Sequence, residues 1–254
     1  MTPLKILAFI LCFGLISLTA SISIGNSDQR ALDNKINQAR EAAREGHYEE
    51  SERLYLDALQ IVQAAFGPEP QTIENIYRSL GSDYFNQGNF REAEHYFRQA
   101  LLIQKEYEAD SRTVAVNLGN LASSLLLQGK LKESEPLIQE SLSIFNEDPK
   151  ANPVLKAFSI ENLAGLRYEQ GDYSTAERLY QEELDLLESR LGPDNSLLTG
   201  PLHGLAKLYS HQGNFAEAEK YFTRALKVNK ESLAKGYFQN KLQEDYEDFL
   251  KRKG

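Results

Sequence analysis

Residues 87–101 read QGNFREAEHYFRQAL and residues 212–226 read QGNFAEAEKYFTRAL, with eleven of fifteen positions identical at a distance of 125 residues. A chain that repeats a stretch this closely calls for a search for its period before its secondary structure. A glycine followed two residues later by a large apolar side chain recurs as Gly46-His47-Tyr48, Gly88-Asn89-Phe90, Gly129-Lys130-Leu131, Gly171-Asp172-Tyr173 and Gly213-Asn214-Phe215, at spacings of 42, 41, 42 and 42. Side chains around each glycine sort by size. Seven residues before it stands a small one: Ala39, Gly81, Ala122, Ala164 or Ala206. Five after it comes another, Ser51, Ala93, Ser134, Ala176 or Ala218, and nine after it a bulky one, Tyr55, Phe97, Ile138, Tyr180 or Phe222. From the second repeat on, large groups also precede the glycine by eleven and eight residues, as in Leu118 and Leu121 or Leu202 and Leu205. Spacings of 3 and 4 describe two amphipathic helices joined by a glycine turn. Small residues let the helix backbones approach, and large ones fill the groove beside them.

This pattern resembles the tetratricopeptide repeat from about residue 32 to the end. The usual unit has about 34 residues; one near 42, with FGPEP at 66–70 and LGPDN at 191–195 between repeats, resembles the repeats of kinesin light chains and their bacterial relatives. The resemblance implies an all-α, right-handed superhelical solenoid of antiparallel helix pairs. Its five repeats would lie at about 32–65, 74–107, 115–148, 157–190 and 199–232, followed by a capping helix at 236–254. Lys35 stands where a large apolar residue is expected, and the polar first repeat suits an exposed end of an array. Glu183 occupies the place of Ala58, Ala100 and Ala225, so its helix pair is expected to splay or to let the carboxylate reach water. Pro136 is expected near the start of its helix, where a missing N–H is least costly.

The 254 residues carry a net charge of -9. Such a chain repels polyanions, which argues against nucleic acid as a partner. The one cysteine, Cys12, excludes an internal disulfide and any site built on several cysteines. Lys5 followed by the uncharged run Ile6 to Ala20, with small residues near Ala20 to Gly25, reads as a signal peptide over residues 1–25, with 26–31 as a linker. The alternative is an uncleaved anchor at 6–24. Either reading gives an exported chain, periplasmic or secreted, with a membrane contact only if the segment is retained.

Candidate chemistry is sparse. No phosphate-loop, dinucleotide, HExxH or GxSxG motif occurs. His203 and His211, eight residues apart, fall about 80 degrees apart around a helix and share a side of it, but no third convergent group is evident. The carboxylates of EDYED, Glu244 to Asp248, are expected on the wet side of the capping helix. No enzyme activity, cofactor or metal is expected.

In the family resembled, the first helix of each repeat lines a concave wall. In register with it, the wall receives Asp33, Asn37, Arg40 and Arg44; Asn75, Arg78, Ser82 and Asn86; Val116, Asn120, Ser123 and Leu127; Phe158, Glu161, Asn162 and Tyr168; and His203, Lys207 and His211. The resemblance implies that asparagines nine before the glycine, Asn37, Asn120 and Asn162, hold the backbone of an extended peptide; Ser79 and Gly204 depart from that pattern. The arginines either select carboxylates of a ligand or pair along their own helices, Arg44 with Glu41 and Arg78 with Glu74. Phe158 and Tyr168 form either an aromatic pocket or inter-repeat packing. The expected function is a scaffold that binds a peptide or protein segment; the alternatives are a self-associating structural component or, through the histidines, an enzyme.

Overall fold

A computed structural model of the chain describes residues 26–66, 69–106, 110–148, 150–230 and 236–253. The leader and part of FGPEP lie outside the described residues. Among those described there are no strands and eleven α-helices. Five antiparallel pairs follow one another: α1 (Asn26–Arg44) with α2 (Tyr48–Ile61), α3 (Pro70–Asn86) with α4 (Phe90–Glu106), α5 (Ser111–Leu127) with α6 (Leu131–Glu147), α7 (Pro153–Glu169) with α8 (Tyr173–Leu191), and α9 (Thr199–His211) with α10 (Phe215–Asn229). A last helix, α11 (Tyr237–Lys253), stands alone in sequence. The first helix already begins at Asn26, so the expected linker is helical over 26–31.

The five period-marking glycines all have left-handed backbones, with φ between 74° and 82°. In each turn two backbone bonds close the first helix. In the second repeat the Gly88 N–H reaches the carbonyl of Phe85 at 3.0 Å, and the Asn89 N–H reaches that of Tyr84 at 2.9 Å. The same pair recurs at Gly46, Gly129, Gly171 and Gly213. These are Schellman turns, which satisfy helix-end carbonyls by placing one residue in a conformation that glycine adopts without strain.

The size code falls where the packing needs it. All ten small positions flanking the turns are buried, as are the bulky residues nine after the glycines. At Gly81 a Cβ would come within 2.6 Å of the Phe97 ring, so that pair fits only with hydrogen in place of a methyl. Polar rungs cross between repeats on one plan, from four before a glycine to six after the preceding one. Tyr84 donates to Glu52 at 2.6 Å, Arg167 to Glu135 at 3.0 Å and Tyr209 to Glu177 at 2.6 Å.

Lys35 is accommodated by an ion pair with Asp57 at 2.8 Å. Pro136 is exposed at the sixth residue of α6, past the first-turn positions where an N–H is free, and the helix runs on through it. The LGPDN loop is held from α10: Arg224 donates to the Pro193 carbonyl at 3.1 Å and Lys227 to Asp194 at 2.7 Å. No helix among the described residues is long and apolar enough to cross a membrane.

At Gly129 a Cβ would meet nothing within 4 Å, so backbone strain is the sole cost of filling it. Gly129→Ala should therefore lower the unfolding free energy by about 1–2 kcal/mol, the cost of a left-handed L-residue. A urea melt measures this, and a neutral result would remove the turn from its proposed role.

Candidate binding wall and the terminal helix

The expected wall residues divide into those used by the scaffold and those left free. Arg78 donates to Glu74 at 3.3 Å and also to Asn75. Glu74 is a buried carboxylate that further accepts from Asn117 at 2.7 Å, so Arg78 neutralises it and is committed to the fold. Ser82 donates to the Arg78 carbonyl at 3.0 Å. Arg44 pairs with Glu41 at 3.3 Å, but both are exposed, and such a pair contributes little. Arg40 is exposed, and its charge works against the rise that burial gives the Tyr55 pKa.

The position nine before the glycine turns toward the preceding repeat. Asn162 donates to the Gly119 carbonyl at 2.9 Å and thereby ties the fourth repeat to the third. Ser79 faces Tyr55 and works against the rise that burial gives the Tyr55 pKa, and Gly204 leaves room for the Tyr180 ring, which a Cβ would meet at 2.5 Å. The departure at Gly204 thus has a packing cause. Asn37 lies exposed. In the third repeat Asn120 and Ser123 are half-buried and make no side-chain hydrogen bond among the described residues, and Leu127 is 40% exposed.

Phe158 and Tyr168 do not form one pocket. They are ten residues, about 15 Å, apart along α7. Phe158 is 40% exposed, whereas Tyr168 meets Tyr173 at 5.5 Å and His211 at 6.3 Å, with the Lys207 ammonium 5.2 Å from its ring centre. The histidines separate as well. His211 lies 4.7 Å from Tyr173 with the rings tilted by 41°, while His203 meets Asp245 of α11 at 2.9 Å. Burial holds the His203 pKa below its ordinary value despite that carboxylate. No group of three or more potential metal ligands occurs among the described residues.

The terminal helix does more than cover an end. Leu242 and Phe249 are buried, and Phe222 meets Tyr246 at 5.6 Å and Phe249 at 5.2 Å. The bonds from His203 to Asp245 and from Arg252 to Ser210 both span 42 residues, one period. α11 therefore stands where the first helix of a sixth repeat would stand. EDYED is correspondingly not all on the wet side: Asp245 takes bonds from His203 and from Lys241, and despite its burial they hold its pKa at about 2. The other end of α11 reaches the second repeat. Phe238 lies 5.1 Å from Phe85, Tyr237 lies 5.1 Å from Phe90 at a right angle, and Asn86 and Gln87 share a cleft with Tyr237 and Asn240.

Glu183 neither splays its helix pair nor reaches water. It is 0% exposed, and neither carboxylate oxygen has a hydrogen-bond partner among the described residues. Space for carboxylates in this region comes from α9, where Gly200 lets the Glu161 carboxyl approach; a Cβ would stand 2.2 Å from its oxygen. Burial pushes Glu161 up to about 7, and burial plus the Glu161 charge pushes Glu183 well above the usual carboxylate range.

With this geometry established, comparison with known proteins places the chain. The sequence model described as tetratricopeptide repeat matches residues 34–101, 72–147 and 156–231. The chain belongs to the tetratricopeptide repeat family. No curated protein matches the sequence. Among solved structures, BtubC (BKLC) from P. vanneervenii is similar at 22% identity and TM-score 0.56, over 84% of this chain and 92% of that one. A Podosopora anserina protein named for kinesin light chain and its nearly identical TPR-like repeats is similar at 19% identity and TM-score 0.56, over 78% and 93%. A Rap protein complexed with Competence and Sporulation Factor is similar at 15% identity and TM-score 0.71, over 87% of this chain and 59% of that one. At these identities the likeness is one of fold.

The two raised carboxylates make a pH prediction. An unfolded glutamate titrates near 4.3, so between that value and about 7 the folded chain holds more protons than the unfolded one. Stability from these groups is fully present below the unfolded pKa and is lost as pH rises through the folded one. The melting temperature should fall between pH 5 and pH 8. Glu183→Ala should be more stable at pH 8 by about 1–3 kcal/mol, the penalty of a buried unsatisfied polar group, and should show a flatter profile. Parallel profiles for the two proteins would reject the assignment.

Proposed function

We propose that this protein is an exported scaffold that binds an extended segment of a partner protein along its first-helix wall, without catalysis. The observation that carries the reading is the third repeat. There Asn120 and Ser123, unbonded through their side chains among the described residues, lie on the same helix face as the exposed Leu127, midway along the array. A free amide and a hydroxyl beside an apolar group are what an extended peptide needs: main-chain bonds for affinity and an apolar contact for choice. Arg40 and Arg44 stand exposed at the N-terminal end of the same wall, where the weak Arg44–Glu41 pair exchanges readily for a ligand carboxylate. Arg78 is not part of this surface, since Glu74 occupies it.

Two further points support the reading. Tetratricopeptide arrays serve as protein-interaction scaffolds, and the Rap structure that this fold resembles was determined with a bound factor. The apolar run Ile6 to Ala20 supports export, and the absence of any convergent catalytic constellation in the sequence supports a role in positioning.

Peptides selected against the wild type from a random array should bind Asn120→Ala/Leu127→Ala at least tenfold more weakly, with helix content and melting unchanged. Asn162→Ala differs in kind: it should destabilise by about 1 kcal/mol through its lost inter-repeat bond. If the double variant keeps full affinity for the selected peptides, the third repeat is not the binding surface.

A further inference from the structure

We infer that the second repeat carries a recognition site for two adjacent aromatic residues, and that Tyr237 and Phe238 of α11 are its resident occupants, which a partner segment of the same chemistry must displace. The inference relies on the proposed function only in taking the first-helix wall as the binding face. Asn86 belongs to that wall, two residues before Gly88, and Phe85 stands beside it in the chain.

The fit is close at three points. At Gly88 a Cβ would stand 2.6 Å from the Tyr237 ring, so the turn glycine serves as the floor on which that ring rests. Phe85 and Phe90 form an edge-to-face pair at 5.4 Å, and each takes one ring of the visiting pair, Phe238 and Tyr237 respectively. Gly236 passes so near the second repeat that a Cβ would stand 2.7 Å from the Asn86 carbonyl oxygen. A glycine followed by two aromatic rings is thus matched by a glycine floor flanked by two aromatic rings.

This seam is less enclosed than the packing between neighbouring repeats. The packing between neighbouring repeats has a buried apolar core crossed by polar rungs, whereas Phe238 is 40% exposed and the seam borders a cleft of about 430 Å³ lined by Asn86, Gln87, Asn240 and Glu244. An interface of a few ring contacts beside a polar cleft opens at low cost relative to the global fold. The far end of α11 is held differently, by buried Phe249 and by the Asp245 and Arg252 bonds to α9. The helix can therefore release its first turn while its second half stays docked. A tethered occupant presents an effective concentration on the order of millimolar. If its intrinsic affinity is on the order of 100 μM, it weakens an external competitor about tenfold.

The test uses a fluorescein-labelled peptide GYFQNKLQE, residues 236–244, titrated into the full chain and followed by anisotropy. Tyr237→Ala/Phe238→Ala and, separately, Gly236→Ala should bind it at least tenfold more tightly than the wild type. Amides of the first turn of α11 should exchange faster in both. Gly236→Ala lies outside the core, so it keeps the test available if the double variant fails to fold. Adding Phe85→Ala to either variant should abolish the gain. Equal affinity for wild type and released variants, or no binding to any of them, would overturn the inference. So would a concentration-dependent dimer that dissociates in Tyr237→Ala/Phe238→Ala, which would place the strap on a second copy. Success here with intact binding by Asn120→Ala/Leu127→Ala would reject the third-repeat surface alone, so the two readings fail separately.

Discussion

The architecture depends on the left-handed glycine that ends each first helix. Its two backbone bonds fix the angle at which the second helix departs, and that angle brings the small residue seven before the glycine against the partner helix. Once two backbones lie that close, the bulky residue nine after the glycine has one place to go, between this pair and the next. Turn, near approach and plug are successive consequences of one backbone conformation. A solenoid then follows, because each pair covers an apolar face that the previous pair leaves open.

What the sequence made legible was the part that repeats. Ala122 and Ile138, or Ala206 and Phe222, have the same neighbours in every copy, so selection for packing writes them periodically, and all are buried as their spacing implied. The rungs between repeats were harder to see. Tyr84, Arg167 and Tyr209 differ as residues yet do one job, donating to a glutamate on the preceding repeat, and identity conceals a shared geometry carried by different chemistry.

Other features lay beyond the pattern for a physical reason. Whether Asn162 faces a ligand or the Gly119 carbonyl depends on how far one repeat is rotated against the next, a quantity that no single repeat encodes. The burial of Glu183 depends on the helices packed around it, and room for its neighbour Glu161 comes from Gly200 on another helix. The reach of α11 to Phe85 is the sum of all the rotations between the second repeat and the end, so it is the least local property of the molecule. Lys35 gave the opposite case: an apparent violation of the pattern was answered by one ion pair to Asp57 on the neighbouring helix.

The contact between Phe238 and Phe85 also bears on how such a protein can change over generations. Repeat arrays ordinarily lengthen or shorten by duplicating or deleting a unit, and an open-ended stack tolerates either because each layer meets only its neighbours. Here the terminal helix meets the second repeat as well as the fifth. Removing or inserting a unit between them would carry Tyr237 and Phe238 away from their seat by a full layer. The aromatic seam therefore acts as a gauge of length: it makes the number of repeats a selectable trait, where in an open array that number would be free to drift.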